Sequence, residues 1–178
     1  MFGKPSQPKA PWSVRVLTPD FLVEGSFSES DKTSWRSFFS VSSNSDTWPQ
    51  GILRLSSARM QSSSGRLPVP ADILPSWVVS QYGSIIAIIP NDETSIQYVA
   101  EANVRNTVMA ADLYVGPYLI RGNLLNVNEN IDYLNSCFSV LVKDAQIDCL
   151  LPGSSLKSLQ APYAIVRTLL MQGIVFRG

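Results

Sequence analysis

The sequence contains no histidine, so the side chain most often used as a general base and as a metal ligand is missing. Its two cysteines, Cys137 and Cys149, have no histidine or second cysteine pair with which to complete a zinc site. We expect both as reduced thiols, and a disulfide between them is left open. Neither phosphate-binding glycine pattern, GxGxxG or GxxxxGKS, occurs. The sequence therefore predicts no cofactor, no metal site and no enzyme activity.

The sequence also lacks an excess of charge of either sign. Lysine and arginine together number 14, as do aspartate and glutamate, which gives a net charge of zero. Proteins that hold nucleic acid mainly through its phosphates usually show a basic excess or a basic stripe. The densest basic group consists of only Arg54, Arg59 and Arg66. Nucleic acid is therefore not the expected partner.

Long hydrophobic runs are missing as well. The longest, such as residues 85–90, are far below the roughly 20 apolar residues of a membrane-spanning helix. The first twelve residues, MFGKPSQPKAPW, lack the apolar region of a secretory signal. We therefore expect a cytoplasmic protein that is not transmembrane, while association with a membrane surface is left open.

What the sequence does contain is a series of short, alternating, β-branched segments separated by glycine and proline, which is typical of β structure. Residues 67–74 are interrupted by Pro68 and Pro70 and followed by Pro75, so they form at most an edge strand or a loop. The predicted strands are residues 14–18, 21–27, 52–61, 77–82, 85–90, 113–115, 118–125, 138–147, 163–170 and 173–177.

Segments of the first half find counterparts, in the same order, in the second half. The matched pairs are 18–27 with 115–124, 56–60 with 143–147, 77–79 with 163–165, and 88–89 with 174–175. The sequence therefore predicts a mostly β protein made of two diverged copies of a small five-stranded twisted β-barrel or sheet module. The expected organisation is an extended arm at 1–12, copy one at 13–90, a linker at 91–106 and copy two at 107–178. The sequence does not decide the structure of the linker.

One segment of the second copy carries a family resemblance. Val142-Lys143-Asp144-Ala145-Gln146-Ile147 follows a strand–turn–strand that ends near Gly122. This pattern resembles Sm-like and PilZ-like small β-barrels, and tandem barrel proteins of unknown function from bacteria. The resemblance implies a small-barrel fold and no catalytic residues. Because the RxxxR and D/NxSxxG signature of PilZ domains and the RNA-binding motif of Sm proteins are absent, it implies neither cyclic-dinucleotide nor RNA binding.

Apolar residues that stand in polar segments of the sequence are candidates for contacts with other proteins. Phe2 and Trp12 stand at the two ends of a proline-rich arm, and Trp48-Pro49 lies in a polar loop that copy two lacks. Such anchors are typical of protein interfaces. We therefore expect a non-catalytic interaction or scaffold protein, a subunit of a larger assembly, in which these four residues contact other protein subunits.

Two alternatives stay open. The arm could fold back on its own barrel, with Trp12 covering an open end. The chain could instead be a small-ligand or nucleotide-sensing domain of PilZ-like type, in which Arg54, Arg59 and Arg66 would face a barrel mouth.

Overall fold

The computed structural model describes residues 11–27, 52–80, 84–102, 108–125, 139–156 and 158–177. Ten strands in these ranges form one antiparallel sheet, which confirms the prediction of a mostly β protein. The elements are β1 (Trp12–Leu17), β2 (Phe21–Phe27), β3 (Ile52–Ser62), β4 (Leu74–Ser80), β5 (Ala87–Pro90), α1 (Glu93–Ala102), β6 (Val108–Val115), β7 (Tyr118–Leu125), β8 (Ser139–Cys149), β9 (Leu159–Arg167), a 3₁₀ turn (Thr168–Leu170) and β10 (Met171–Phe176).

Strand order is the same in the two halves of the sheet. The full order is β10-β6-β7-β8-β9-β5-β1-β2-β3-β4. The first five strands therefore lie as β5-β1-β2-β3-β4, and the last five as β10-β6-β7-β8-β9. The halves meet where β5 pairs with β9, with Ala87 opposite Val166 and Ile88 opposite Ile165. This pairing is called the internal joint below.

Of the barrel or sheet module that the sequence predicts, the described residues form a sheet and not a closed barrel. Closing each five-stranded half would require β4 to pair with β5, and β9 to pair with β10. Instead β5 and β9 pair with each other, so each uses the edge that closure would need. Within the described residues the sheet is open, and β4 and β10 are its two end strands.

Two hydrophobic clusters lie on opposite faces of the internal joint. The first core consists mainly of first-half residues, among them Val14, Leu53 and Ile88, and it also contains Ile165 of β9. The second core consists mainly of second-half residues but also contains Ala87 and Ile89 of β5. Because successive side chains of a strand point to opposite faces, β5 is buried on both sides, as its unbroken apolar sequence predicts.

Each half has a close approach of backbones at a glycine in its second strand. A Cβ on Gly25 would lie 2.9 Å from the Leu55 Cβ, and one on Gly122 would lie 2.7 Å from the Lys143 carbonyl oxygen. The ladders β2–β3 and β7–β8 both shift register at these glycines. Ser57 and Asp144, near the two shifts, both have positive φ angles, of 50° and 52°. Both halves therefore contain a β-bulge at this position.

The registers allow the predicted matches between halves to be compared. Gly25 lies opposite Val14, and Gly122 opposite Ala111, at a constant offset along both hairpins. Tyr163 lies opposite Lys143, whereas Ser76 lies opposite Ser56. With 56–60 aligned on 143–147, the position that corresponds to Tyr163 is Ser76, one residue from the predicted Trp77. This alignment also places Pro75 on Pro162.

Part of the linker whose structure the sequence left open forms α1. Asp92 caps this helix, because its Oδ1 accepts a hydrogen bond from the Ser95 backbone N–H at 2.7 Å. The Ser95 hydroxyl bonds back to the Asp92 backbone N–H at 3.3 Å, which completes a reciprocal cap. The helix contacts β1, β5 and β9 and buries Val99 in the first core, so it packs on the sheet beside the internal joint.

Candidate interaction surfaces

The two end strands of the sheet carry exposed apolar side chains. On β4, Val78 is 47% exposed, while its neighbours Trp77 and Val79 pack against the first core. On β10, Val175 is 51% exposed, while Ile174 packs against the second core. Each end strand therefore presents one side chain inward to its own half and an adjacent one outward to solvent.

Neither end strand carries the charges that usually protect a sheet edge against pairing. Natural sheets place lysine or other charges, or inward-pointing charged residues, on exposed edges because unpaired N–H and C=O groups attract further strands. The sequences of β4, LPSWVVS, and β10, MQGIVF, contain no charged residue. The proline of β4, Pro75, lies near its start, which leaves Ser76 to Ser80 without an interruption. These two edges have the composition of strands that accept a neighbour.

Further apolar residues extend the surface at each edge. The segment before β4 contains exposed Leu67, Val69 and Ile73, and the turn before β10 contains exposed Leu169. The exposed residues thus continue from the end strands into the adjoining segments. Clusters of this kind on a protein surface are more typical of interaction sites than single exposed residues are.

A buried polar network connects the two halves of the sheet. Tyr118, at the start of β7, donates a hydrogen bond from its hydroxyl to the Thr18 carbonyl oxygen at 3.0 Å. Ser63 follows β3, and its hydroxyl forms a hydrogen bond with the same tyrosine oxygen. Burial raises the pKa of Tyr118 to about 12, and the hydrogen bond with Ser63 acts in the opposite direction. The phenol therefore stays protonated at neutral pH and serves as a structural donor.

The same network continues to the loop between β8 and β9. The Ser154 hydroxyl donates to the Ser63 carbonyl at 2.5 Å, and the Ser155 hydroxyl donates to the Ser62 carbonyl at 2.9 Å. The Gln61 side-chain amide in turn donates to the Ser155 carbonyl at 3.2 Å. The end of β3 is thereby tied to the second half by several hydrogen bonds, which oppose rotation of one half against the other.

A shallow depression of about 470 Å³ lies between β8 and β9. Among the residues that the structure describes, its lining includes Asp144, Gln146 and Gln160 and no lysine or arginine. Arg54, Arg59 and Arg66 are all exposed and do not line it. The arrangement that a nucleotide-sensing domain requires, with arginines at a pocket, is therefore not what this depression offers.

The predicted partner-binding residues fall in two groups. Trp12 is only 5% exposed and belongs to the first core, with its ring centroid 4.8 Å from that of Tyr98 on α1. Trp12 therefore packs within its own chain as the first residue of β1, and its partner-binding role stays a prediction. Phe2, Trp48 and Pro49 lie outside the described residues, so their partner-binding role remains a prediction.

Sequence reasoning missed the two end strands as interaction surfaces. The segments 77–82 and 173–177 were predicted as strands, but a strand signal does not reveal whether the strand lies at the end of a sheet. The available signal was the absence of charge from 77–82 and from 173–176, the latter followed by Arg177, since exposed strands usually carry charge.

Comparison of the chain with protein-family models, curated proteins and solved structures finds no match. Among the described residues, no helix is long and apolar enough to cross a membrane. The functional interpretation therefore depends on the molecule's own surfaces.

Proposed function

We propose that the protein is a cytoplasmic, non-catalytic interaction protein that acts as a subunit of a larger protein assembly. The observation that carries this proposal is the pair of uncharged end strands, β4 and β10, with Val78 and Val175 about half exposed. Main-chain pairing at such an edge is a common way for proteins to bind one another. The polar network around Tyr118 supports the proposal, because it ties together the two halves that carry these edges.

We further propose that the two halves are diverged copies of one five-stranded module. Three features support this: the shared strand order, the bulges at Gly25 and Gly122, and the positive φ angles of Ser57 and Asp144. A non-glycine residue rarely adopts a positive φ, so its presence beside both bulges argues for common descent. Duplication explains why the chain has two complementary edges, each belonging to a different copy.

Purification of the tagged chain from its native cells, followed by native mass spectrometry, tests the assembly proposal. We expect the chain in a complex of defined stoichiometry, larger than its own 19.6 kDa. Val78→Lys and Val175→Lys place a charge on each edge and should shrink or abolish the complex. Val108→Lys is the matched control, because Val108 is also exposed but lies on β6, which is paired on both sides. Recovery of the wild-type chain alone, at its own mass, would contradict the proposal.

A further inference from the structure

The internal joint supplies a template for what the two end strands can bind. Within the sheet, β9 is the fourth strand of its half and β5 is the fifth strand of its half. The outer strands β4 and β10 are likewise a fourth and a fifth strand. The sheet therefore contains one pairing of a fourth with a fifth strand, β9 with β5. At its two ends it carries another fourth strand, β4, and another fifth strand, β10, which could form a second such pairing.

Residue positions can be transferred from the joint to the ends through the ladders. Val78 lies opposite Arg54, as Ile165 lies opposite Leu141, so Val78 takes the position of Ile165. On the other strand, the pairing of β10 with β6 repeats the pairing of β5 with β1. This repetition gives Ile174 the position of Ile88, and Val175 that of Ile89.

The two exposed valines of the end strands correspond to joint residues that pack into the core of the opposite half. Ile165 is 1% exposed and lies in the first core, although it belongs to the second half. Ile89 is fully buried in the second core, although it belongs to the first half. Their counterparts, Val78 and Val175, are the half-exposed residues of β4 and β10. Both valines therefore occupy positions that are covered wherever a partner half is present.

We propose that β4 of one copy of this chain pairs antiparallel with β10 of a second copy and so repeats the internal joint between molecules. The register follows from the joint: Val78 lies opposite Ile174, and Val79 lies opposite Gly173. This inference rests on the proposed function and names the partner as the chain itself. The contact is head to tail, so each copy keeps one free edge, and growth continues until the assembly closes into a ring or forms a filament.

A second copy fits these edges better than an unrelated extended peptide. A peptide added to β4 would cover its backbone groups, but it would bring no core into which Val78 could insert. A second copy brings β10 together with its second core, and β4 in turn offers the first core to Val175. Because both edges lie on the same chain, a second copy covers both by one mode of contact.

The contact between copies is weaker than the internal joint. Leu141 crosses the internal joint into the first core, whereas the residue at its position in the first half is the exposed Arg54. Ile86, which precedes Ala87, crosses in the opposite direction into the second core. Gly173 has the position of Ala87 on β10, and the residue that precedes it is the exposed Gln172. Less apolar area is buried, and a guanidinium must stay solvated at the rim. Assembly is therefore reversible and depends on concentration.

Sedimentation velocity of the purified full chain tests the proposal. We expect the average mass to rise over about a hundredfold range of concentration, as a reversible association requires. Val78→Lys and Val175→Lys should each remain monomeric, while the control Val108→Lys should associate like the wild type. An equimolar mixture of the two edge variants retains one intact β4 and one intact β10. This mixture should form a dimer that grows no further.

A gain of association gives the opposite test. Arg54→Leu introduces the residue type found at the corresponding position of the second half, Leu141. The apolar area that a leucine would bury at the contact should lower the concentration at which half of the chains are assembled roughly tenfold. The thermal unfolding midpoint of every variant, measured at a concentration where the wild type is monomeric, separates loss of contact from loss of fold.

Three outcomes would overturn the proposal. The first is a wild type that stays monomeric at all concentrations. The second is association of Val78→Lys or Val175→Lys at wild-type strength. The third is a mixture of these two variants that forms no dimer. If the wild type is monomeric alone yet recovers another protein in fixed stoichiometry through Val78 or Val175, self-pairing is wrong while the proposed function stands.

Discussion

The internal joint and the outer edges of the sheet are built from corresponding strands in different surroundings. At the joint, Ile89 and Ile165 cross into the core of the other half and are almost completely buried. At the edges, Val175 and Val78 stand at the same positions and are half exposed. At these two pairs of positions, the residue with a neighbouring half beside it is buried and the residue at the end of the sheet is half exposed. Val78 and Val175 are therefore the positions at which a further half of a sheet could be added.

The largest expected effect comes from truncating a joint residue and its edge counterpart. Ile88→Ala removes a fully buried side chain from the first core and should lower the free energy of unfolding by about 2–5 kcal/mol. Ile174→Ala, at the corresponding position of β10, should cost less because Ile174 is only partly buried in the monomer. Urea unfolding at a concentration that keeps the chain monomeric measures both. Equal losses would mean that the two positions are not in different surroundings.

The two bulges sharpen the comparison between halves. Gly122→Ala would place a Cβ 2.5 Å from the Val142 Cγ1 and 2.7 Å from the Lys143 carbonyl, so backbone must move. We expect a loss of about 1–3 kcal/mol in unfolding free energy. The contacts at Gly25 are 2.9 Å and 3.0 Å, so Gly25→Ala should cost less. Thermal unfolding of both variants checks this order, and the reverse order would show that the second-half bulge is the looser one.

The network that ties the halves predicts an effect of intermediate size. Tyr118→Phe removes the hydroxyl that bridges Thr18 and Ser63 and leaves buried groups unpaired, which should cost about 1–2 kcal/mol. Tyr114→Phe is the matched control, since Tyr114 is exposed on the neighbouring strand. Denaturant unfolding measures both. If the two variants lose the same stability, the network does not hold the halves together.

Alkaline pH gives a related prediction. The pKa of Tyr118 is raised by burial from an ordinary value near 10 to about 12 in the folded chain. The unfolded chain therefore loses this proton first, and the stabilisation is complete below pH 10 and is lost as the pH rises through 12. The wild type should lose stability faster than Tyr118→Phe in this range, by of order 1 kcal/mol per pH unit. Parallel pH profiles for the two proteins would contradict the assignment.

The smallest expected effect is at the edges. Val175→Thr changes an exposed residue and should alter monomer stability by less than about 0.5 kcal/mol. Ile89→Thr at the joint shortens a buried side chain and buries a hydroxyl in the second core, so it should cost several times more. Unfolding of both variants in dilute solution tests this contrast. A large loss for Val175→Thr would mean that the edge is already covered within the monomer.

Much of the fold could be predicted because strand signals are local. The strands 21–27 and 118–125 were predicted with the bounds that β2 and β7 have, and the run 85–90 was predicted as a buried strand. Less local features were missed. Residues 168–170 form a 3₁₀ turn where a strand was predicted, since Thr-Leu-Leu has no breaker to end the pattern.

The way the halves join could not be predicted. The pairing of Ile88 with Ile165 links residues far apart in sequence, and alternation of apolar residues does not specify which edges meet. Five short strands in each half suit a small twisted barrel or a sheet, so the sequence did not distinguish two barrels from one open sheet. The interaction surface was missed for the same reason, because an edge is defined only by the sheet that contains it.

Formation of a disulfide between copies tests the central claim, the repeated joint, most directly. Chains in which Cys137 and Cys149 are replaced by alanine would carry either Val78→Cys or Ile174→Cys. Residues opposite each other on antiparallel strands have Cα atoms about 4.5–5.5 Å apart, which is within reach of a disulfide. The account predicts that mixed chains give the Val78–Ile174 cross-linked dimer much faster than a control mixture of Val108→Cys with Ile174→Cys. Cross-linking no faster than in that control would contradict it.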